Sequence, residues 1–175
     1  FVEKNVVIKD KVYIGEDTRV KSGTYIEGPV YIGNGNIIGP NAHIRPYSCI
    51  CNNCHIGNSS EVKNSIVMSN TNFPHFNYVG DSIVGEEVNF GAGTKIANLK
   101  LTETTVKVNV EGRTIDTKRR KLGTIIGDNV KIGINSSIMC GVKIENDVLI
   151  GAHTIVNEDI PANSIYYADF KKNII

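Results

Sequence analysis

An all-β solenoid, a parallel β-helix wound from six-residue repeats with one inserted hairpin, is the fold class this sequence predicts. Three observations predict it: the composition, a six-residue rhythm, and two places where the rhythm fails. The 175 residues hold 25 Ile and 18 Val against 4 Leu, with 20 Asn, 17 Gly and 6 Ala. Leu and Ala favour helices, and both are scarce. Ile and Val are stiff at χ1 and favour extended backbone. Asn and Gly tolerate left-handed backbone and belong in tight turns.

The rhythm supplies the architecture. Stepping by six from Ile8 meets Ile14, Val20, Ile26, Ile32, Ile38, Ile44, Ile50, Ile56, Val62 and Met68. A second run passes through Ile126, Ile132, Ile138, Ile144, Ile150 and Val156. A helix turning 100° per residue scatters such positions around its circumference. Gly follows the aliphatic residue at Gly15, Gly33, Gly39, Gly57, Gly127, Gly133 and Gly151, and a small or β-branched residue such as Thr18, Thr24, Ser48, Thr124 or Thr154 precedes it by two. Two inward positions and a turn in six residues describe one side of a coil.

The breaks come next. From Met68 to Val79 is eleven residues, one short of the frame. With Pro74 unable to donate to a ladder, the segment from Ser69 to Tyr78 is expected to bulge outward. The second break, about residues 97–123, holds an alternating Val106, Val108 and Val110, a Glu111-Gly112 turn and a return strand from Arg113 to Thr117. It reads as a hairpin arm. Solenoids carry function on such departures, because the repeat itself only stacks.

Composition excludes some function classes. The net charge of +1 favours neither nucleic acid nor an anionic membrane as the main partner. No apolar run approaches the ~20 residues of a membrane helix. A start at Phe1 without a signal-peptide pattern points to a domain cut from a longer chain. Four cysteines make no disulfide scaffold, so a reduced, cytoplasmic setting is expected. Cys49, Cys51 and Cys54 suggest a metal, but the repeat turns Cys54 inward as a small core residue and Cys49 and Cys51 outward, so no metal site is expected. His43 and His55 are twelve apart, hence on different sides of a coil, which disfavours a three-histidine zinc site of the γ-carbonic-anhydrase kind.

With three repeats per coil, residues 18 apart stack. Lys9, Glu27, Arg45 and Lys63 fall on one edge. Arg45 and Lys63 then stand roughly 5 Å apart, as a phosphate cradle or as a solvated ladder partly neutralised by Glu27. Among the four histidines, His75 alone sits in a register break.

The run from Pro74 to Asn98, with His75, Tyr78, Gly80-Asp81, Gly85, Asn89, Gly91-Ala92-Gly93-Thr94 and Asn98, carries a resemblance. It resembles the acetyltransferase domain of bifunctional sugar-1-phosphate nucleotidylyltransferase/amino-sugar-1-phosphate N-acetyltransferases. Arg45-Pro46 and the segment from Gly123 to Val130 fit as well. The arm with Arg119, Arg120 and Lys121, and the run from Gly133 to Val142, look like the archaeal branch. The resemblance implies three sides per coil, left-handed winding, a homotrimer with sites between subunits, and acetyl-CoA as co-substrate. It implies His75 as general base, and Arg45, Lys63, Tyr78 and Asn89 as contacts to an amino-sugar 1-phosphate. Asn98 is implied near the acetyl group, and Ala152 as a backbone contact to CoA from a neighbouring subunit. Lys107 fits the archaeal spacing for a basic substrate contact, and Lys121 the bacterial one. Thr104 and Leu99 stand where the family patterns often have Lys and Tyr.

The implied chemistry is coherent. An ammonium cannot attack a thioester, so a base near neutral pKa must take its proton, and histidines titrate in that range. Nothing in the chain offers a nucleotide-binding Gly-rich loop, so the nucleotidylyltransferase domain is expected to lie outside it. The sequence leaves open glucosamine or galactosamine 1-phosphate as acceptor. The alternative is a non-catalytic β-helix used for assembly or regulation of a nucleotidylyltransferase.

Overall fold

The computed structural model describes residues 1–168. β-Branched residues that alternate in and out for only two or three positions build short strands, and each chain turn then places the next strand on a new face. Face 1 stacks eight strands: Val7–Lys9, Tyr25–Glu27, His43–Ile44, Glu61–Lys63, Tyr78–Gly80, Lys95–Ile96, Ser137–Ile138 and Ile155–Val156. Face 2 stacks seven, from Val12–Ile14 through Ile66–Val67, Ile83–Val84 and Ile125–Ile126 to Lys143–Ile144. Face 3 stacks eight, from Arg19–Val20 through His55–Asn58, Asn72–His75 and Asn89–Phe90 to Ile165–Tyr166. Within each face all pairings are parallel. The result is the parallel β-helix that the rhythm predicts, with the three sides that the resemblance implies.

The core is a triangular column of the sixth-position residues. Ile26, Ile32, Ile38, Ile44, Ile50, Ile56, Val62, Phe73, Phe90, Ile96, Ile126 and Ile138 are all buried. Beside them the second inward position carries small hydroxyl residues that close the corners. Thr18 Oγ1 donates to the Gly33 carbonyl at 2.7 Å and accepts from the Asn36 N–H at 3.0 Å. Thr71 does the same between Gly85 and Val88. These corner hydroxyls thereby serve backbone groups that no strand reaches, whereas the buried Thr24 hydroxyl is left without a partner among the described residues. The surplus Asn sits where the chain reverses, with φ near +55° at Asn41, Asn53, Asn129 and Asn135.

The register differs from the expected frame. Met68 does not face the core: it is 38% exposed, and Val67 points inward between Ile50 and Val84. The missing residue is lost one corner earlier than the sequence suggests, between Val62 and Val67, and a second is lost between Val79 and Val84. In a six-residue side the left-handed residue stands three after the inward one, as Tyr47 follows Ile44; Asn64 and Asp81 stand only two after Val62 and Val79. The corner from face 1 to face 2 is therefore one extended residue shorter.

The segment around Pro74 does not bulge. Asn72–His75 is an ordinary face 3 strand with Phe73 fully buried on Phe90. Pro74 only forfeits one ladder donor at the strand's end.

The arm leaves face 1 after Ile96 and returns to face 2 at Ile125. Lys107–Val110 and Arg113–Asp116 pair antiparallel around the Glu111-Gly112 turn, as expected. Val84 pairs directly with Ile126, so the stack closes beneath the arm without a gap.

Candidate active site

The expected site residues fall into two groups on opposite edges of face 1. At the corner to face 2 stand Arg45, Lys63 and Asn98. At the corner from face 3 stand His75 and Ala152, with Asn89 on the outer side of face 3 nearby. Tyr78 projects from face 1 itself, between the two edges. Between His75 and Gly80 the chain turns a corner at Phe76, φ +53°, before the face 1 strand Tyr78–Gly80 begins.

Arg45 and Lys63 occupy successive coils, as the spacing predicts; the Arg45 N–H donates to the Val62 carbonyl at 2.8 Å. Neither cation waits for an external anion, and Glu27 does not neutralise them. Arg45 Nη1 meets Glu61 Oε1 at 2.9 Å. Lys63 Nζ meets both oxygens of Asp81, at 2.9 and 3.1 Å. Glu27 instead binds His43 Nε2 at 2.8 Å. The reason is geometric: outward residues two apart on one strand reach the coil above, and the short corner tucks Asp81 under the lysine.

The two ion pairs differ in depth. Arg45 and Glu61 are over 30% exposed, whereas the Lys63 and Asp81 side chains are 18% and 6% exposed. An exposed pair contributes roughly 0–1 kcal/mol. The deeper pair belongs to a network. Asn64 Nδ2 donates to Asp81 Oδ1 at 2.7 Å, and Asn98 Nδ2 to Asp81 Oδ2. Burial pushes the Asp81 carboxyl up, but hydrogen bonds from Asn64, Lys63 and Asn98 outweigh it and hold the group below the usual carboxylate range. Asn98 Nδ2 also donates to Tyr78 Oη at 3.1 Å. Burial, with Glu61 and Asp81 nearby, raises the Tyr78 pKa, so the phenol keeps its proton and has an O–H to offer.

Gly80 permits this arrangement. A Cβ there would lie 2.5 Å from Tyr78 Oη and 2.9 Å from Asn98 Nδ2. The Tyr78 ring folds back over bare backbone to reach Asn98. Arg45, Pro46, Tyr47, Lys63 and Asn64 line an open cavity of about 420 Å³ on this corner. Tyr47, at φ +64° and 71% exposed, stands at its mouth.

On the other edge, the backbone around His75 is fixed at both ends: its N–H donates to Asn77 Oδ1 at 3.1 Å and its carbonyl accepts from Gly93 N–H at 3.0 Å. Asn89 pairs with Asn72 below and Lys131 above. Ala152 is exposed and caps Gly133, where a Cβ would meet its nitrogen at 2.4 Å.

The two candidate lysines of the arm part company. Lys121 bridges Leu99 and so stays beside Asn98. Lys107 sits at the base of the hairpin opposite Asp116, where its carbonyl packs on Gly141 and it lines a separate cavity of about 470 Å³ with Cys140, Glu158 and Asp159. The cysteines lie as the repeat requires. Cys54 is buried, its thiol donates to the Met68 carbonyl at 3.2 Å, and burial pushes its pKa up to about 11. Cys49 stands outward on face 2, where burial and the neighbouring Cys51 thiol raise its pKa.

Residues 26–119, more than half of the chain, match the GMPPB C-terminal domain family. The chain belongs to that family. Residues 123–158 match the bacterial transferase hexapeptide family of six repeats, a match that fits left-handed winding of the coils. The Sulfurisphaera tokodaii bifunctional sugar-1-phosphate nucleotidylyltransferase/acetyltransferase is 55% identical over 91% of this chain and 40% of its own length. The bifunctional protein GlmU of Methanocaldococcus jannaschii is 49% identical over 95% of this chain, again 40% of its length. The chain thus spans about 40% of the relatives it matches. Among solved structures, the Francisella novicida UDP-N-acetylglucosamine acyltransferase superimposes with a TM-score of 0.57 at 17% identity, covering 96% of this chain and 67% of that one; it shows the shared fold.

Within this GMPPB C-terminal domain, sequence reasoning misses Asp81, Asn64, Glu61 and Gly80 at the cation edge. Continuing the charge ladder by one more step of 18 from Lys63 lands on Asp81. The true register pairs Lys63 with Gly80, and Asp81 reaches the lysine from the next position around the corner.

Proposed function

We propose that this chain transfers an acetyl group from acetyl-CoA to the amine of an amino-sugar 1-phosphate, glucosamine 1-phosphate or galactosamine 1-phosphate. The observation that carries the reading is the layout of face 1. A cation pair stands on one edge and a protonated phenol in the middle, on neighbouring face 1 strands, and a histidine ends the face 3 strand that leads into the other edge. In this reading the phosphate sits against Arg45 and Lys63, and Arg45 can offer it a two-pronged contact. The sugar lies across face 1 against Tyr78, which directs its amine towards His75. His75 takes the ammonium proton, and the freed amine attacks the thioester carbonyl. Backbone N–H groups near the corner stabilise the tetrahedral oxyanion, and the thiolate of CoA leaves with a proton. Asn98, which the resemblance puts near the acetyl group, stands within one copy at the cation corner and holds the Tyr78 phenol, with Lys121 beside it. Lys107, at the base of the hairpin, lines the separate cavity with Cys140 and remains the other candidate for the basic contact.

We infer a homotrimer acting in the cytoplasm, with Ala152 of one copy contacting CoA held by the next. The described residues include no helix long and apolar enough to cross a membrane. The activity and partners of the longer protein are part of the same proposal.

CoA release from acetyl-CoA, followed with a thiol reagent, tests the reading. Wild type should release CoA with one or both amino-sugar phosphates, and His75→Ala should lose at least 100-fold in kcat. Release by His75→Ala at the wild-type rate removes the base assignment. No release by wild type with either sugar removes the enzyme and leaves the assembly domain.

A further inference from the structure

We propose that Asp81 is a positioning residue of this site, holding Lys63 and Asn98 at a fixed separation and clamping both feet of the arm; the proposal rests on the acetyl-transfer reading. One buried residue meets four parts of the fold. Its two carboxylate oxygens accept from Lys63, Asn64 and Asn98. Its own N–H donates to the Lys63 carbonyl at 2.9 Å. Its carbonyl accepts from the Gly123 N–H at 2.8 Å, where the arm returns. The arm departs at Asn98, which the Asp81 side chain holds, and the Leu122 N–H closes the loop on the Asn98 carbonyl at 3.0 Å.

The chemistry follows from the donor count. A lysine on a four-carbon stem samples many rotamers, and an ammonium has three N–H bonds. Two of them face Asp81, which leaves one pointing outward for a phosphate oxygen. The same carboxylate holds the Asn98 amide, which in turn donates to Tyr78 Oη. Asp81 therefore fixes the phosphate-binding ammonium relative to the phenol that the sugar lies against. Its negative charge also opposes the substrate phosphate. Orientation gains and ground-state affinity loses, which is a signature that a purely structural residue lacks.

The test is Asp81→Asn in the full-length chain, with kcat and KM measured for each substrate. The side chain keeps its size and loses its charge, and the new amide faces the donors of Lys63 and Asn98. The expected result is a kcat at least tenfold lower, with KM for the sugar phosphate unchanged or lower. On a Lys63→Ala background the same substitution should cost clearly less than it does in wild type, because one of the two groups it positions is gone. A kcat within twofold of wild type overturns the proposal, as does a fully multiplicative loss in the double variant or a raised KM at unchanged kcat. If Asp81→Asn does not fold, Asp81→Glu decides. Glutamate occupies left-handed corners elsewhere in this chain, at Glu87 and Glu103. It keeps the charge and moves it by one methylene, so a tenfold lower kcat is again expected, and a wild-type kcat overturns the idea. An inactive wild type brings down the acetyl-transfer reading itself; an active wild type with an indifferent Asp81 variant brings down only the positioning role.

Discussion

Gly80→Ala separates activity from stability at this site. Gly80 lies outside the left-handed region, so alanine fits its backbone. The new methyl would stand 2.5 Å from Tyr78 Oη and 2.9 Å from Tyr78 Cζ, where ordinary contact begins at 3.4 Å. The phenol must retreat by about 1 Å, and a displacement of that size costs up to ~100-fold in rate, or ~2.7 kcal/mol. The fold should barely respond. Alanine stabilises by about 0.4–1 kcal/mol through the unfolded chain, and the lost Tyr78–Asn98 hydrogen bond costs about 0.5–1.5 kcal/mol. These nearly cancel, and at ~2–4 °C per kcal/mol the melting temperature should move by less than ~4 °C. CoA release gives kcat/KM, and a thermal melt by circular dichroism gives stability. A Gly80→Ala protein with wild-type kcat/KM would refute the steric reasoning, and so would one that loses activity only in proportion to a large drop in melting temperature.

Two further outcomes concern the scaffold. Phe73 and Phe90 are fully buried and meet edge to face at 4.5 Å between centroids, so Phe73→Ala should destabilise by about 4 kcal/mol, read as a lower urea midpoint at constant m; a loss under ~1 kcal/mol contradicts the packing. Asp81 has a folded pKa below its ordinary 3.8, so its contribution is complete above that value and fades as pH falls through the depressed one. Melting temperatures from pH 6 down to pH 3 should accordingly fall more steeply in wild type than in Asp81→Asn, and parallel curves contradict the assignment.

The solenoid was legible because its signal repeats. Sixteen coil sides share one rule, so a single substitution such as Phe73 for an aliphatic residue cannot hide it. The arm was legible too, because Val106, Val108 and Val110 switch the period from six to two. The frame shift was placed one corner late because Ile66, Val67 and Met68 are all apolar, and spacing alone cannot choose which of three adjacent apolar residues faces inward. Val67 wins because the left-handed Asn64 tightens the corner. Arg45, Lys63 and His75 stood out as charged or titratable residues at particular slots. Asp81 did not, because its importance comes from burial and from four partners brought around it by the shortened corner. Gly80 was invisible for a related reason: a glycine after an inward aliphatic residue is the repeat's ordinary punctuation.

The closure of Val84 directly onto Ile126 has a consequence for how such a chain can vary. The arm is an excursion whose two ends meet at a junction held by Asp81 and whose base packs on Gly141, so only the length of its tip, beyond Val110, is set mainly by loop-closure entropy. Doubling such an excursion costs only about 0.6 kcal/mol. The tip can therefore lengthen or shorten with no cost to the column beneath it. The tip is thus free to change while the coils that carry it stay in step.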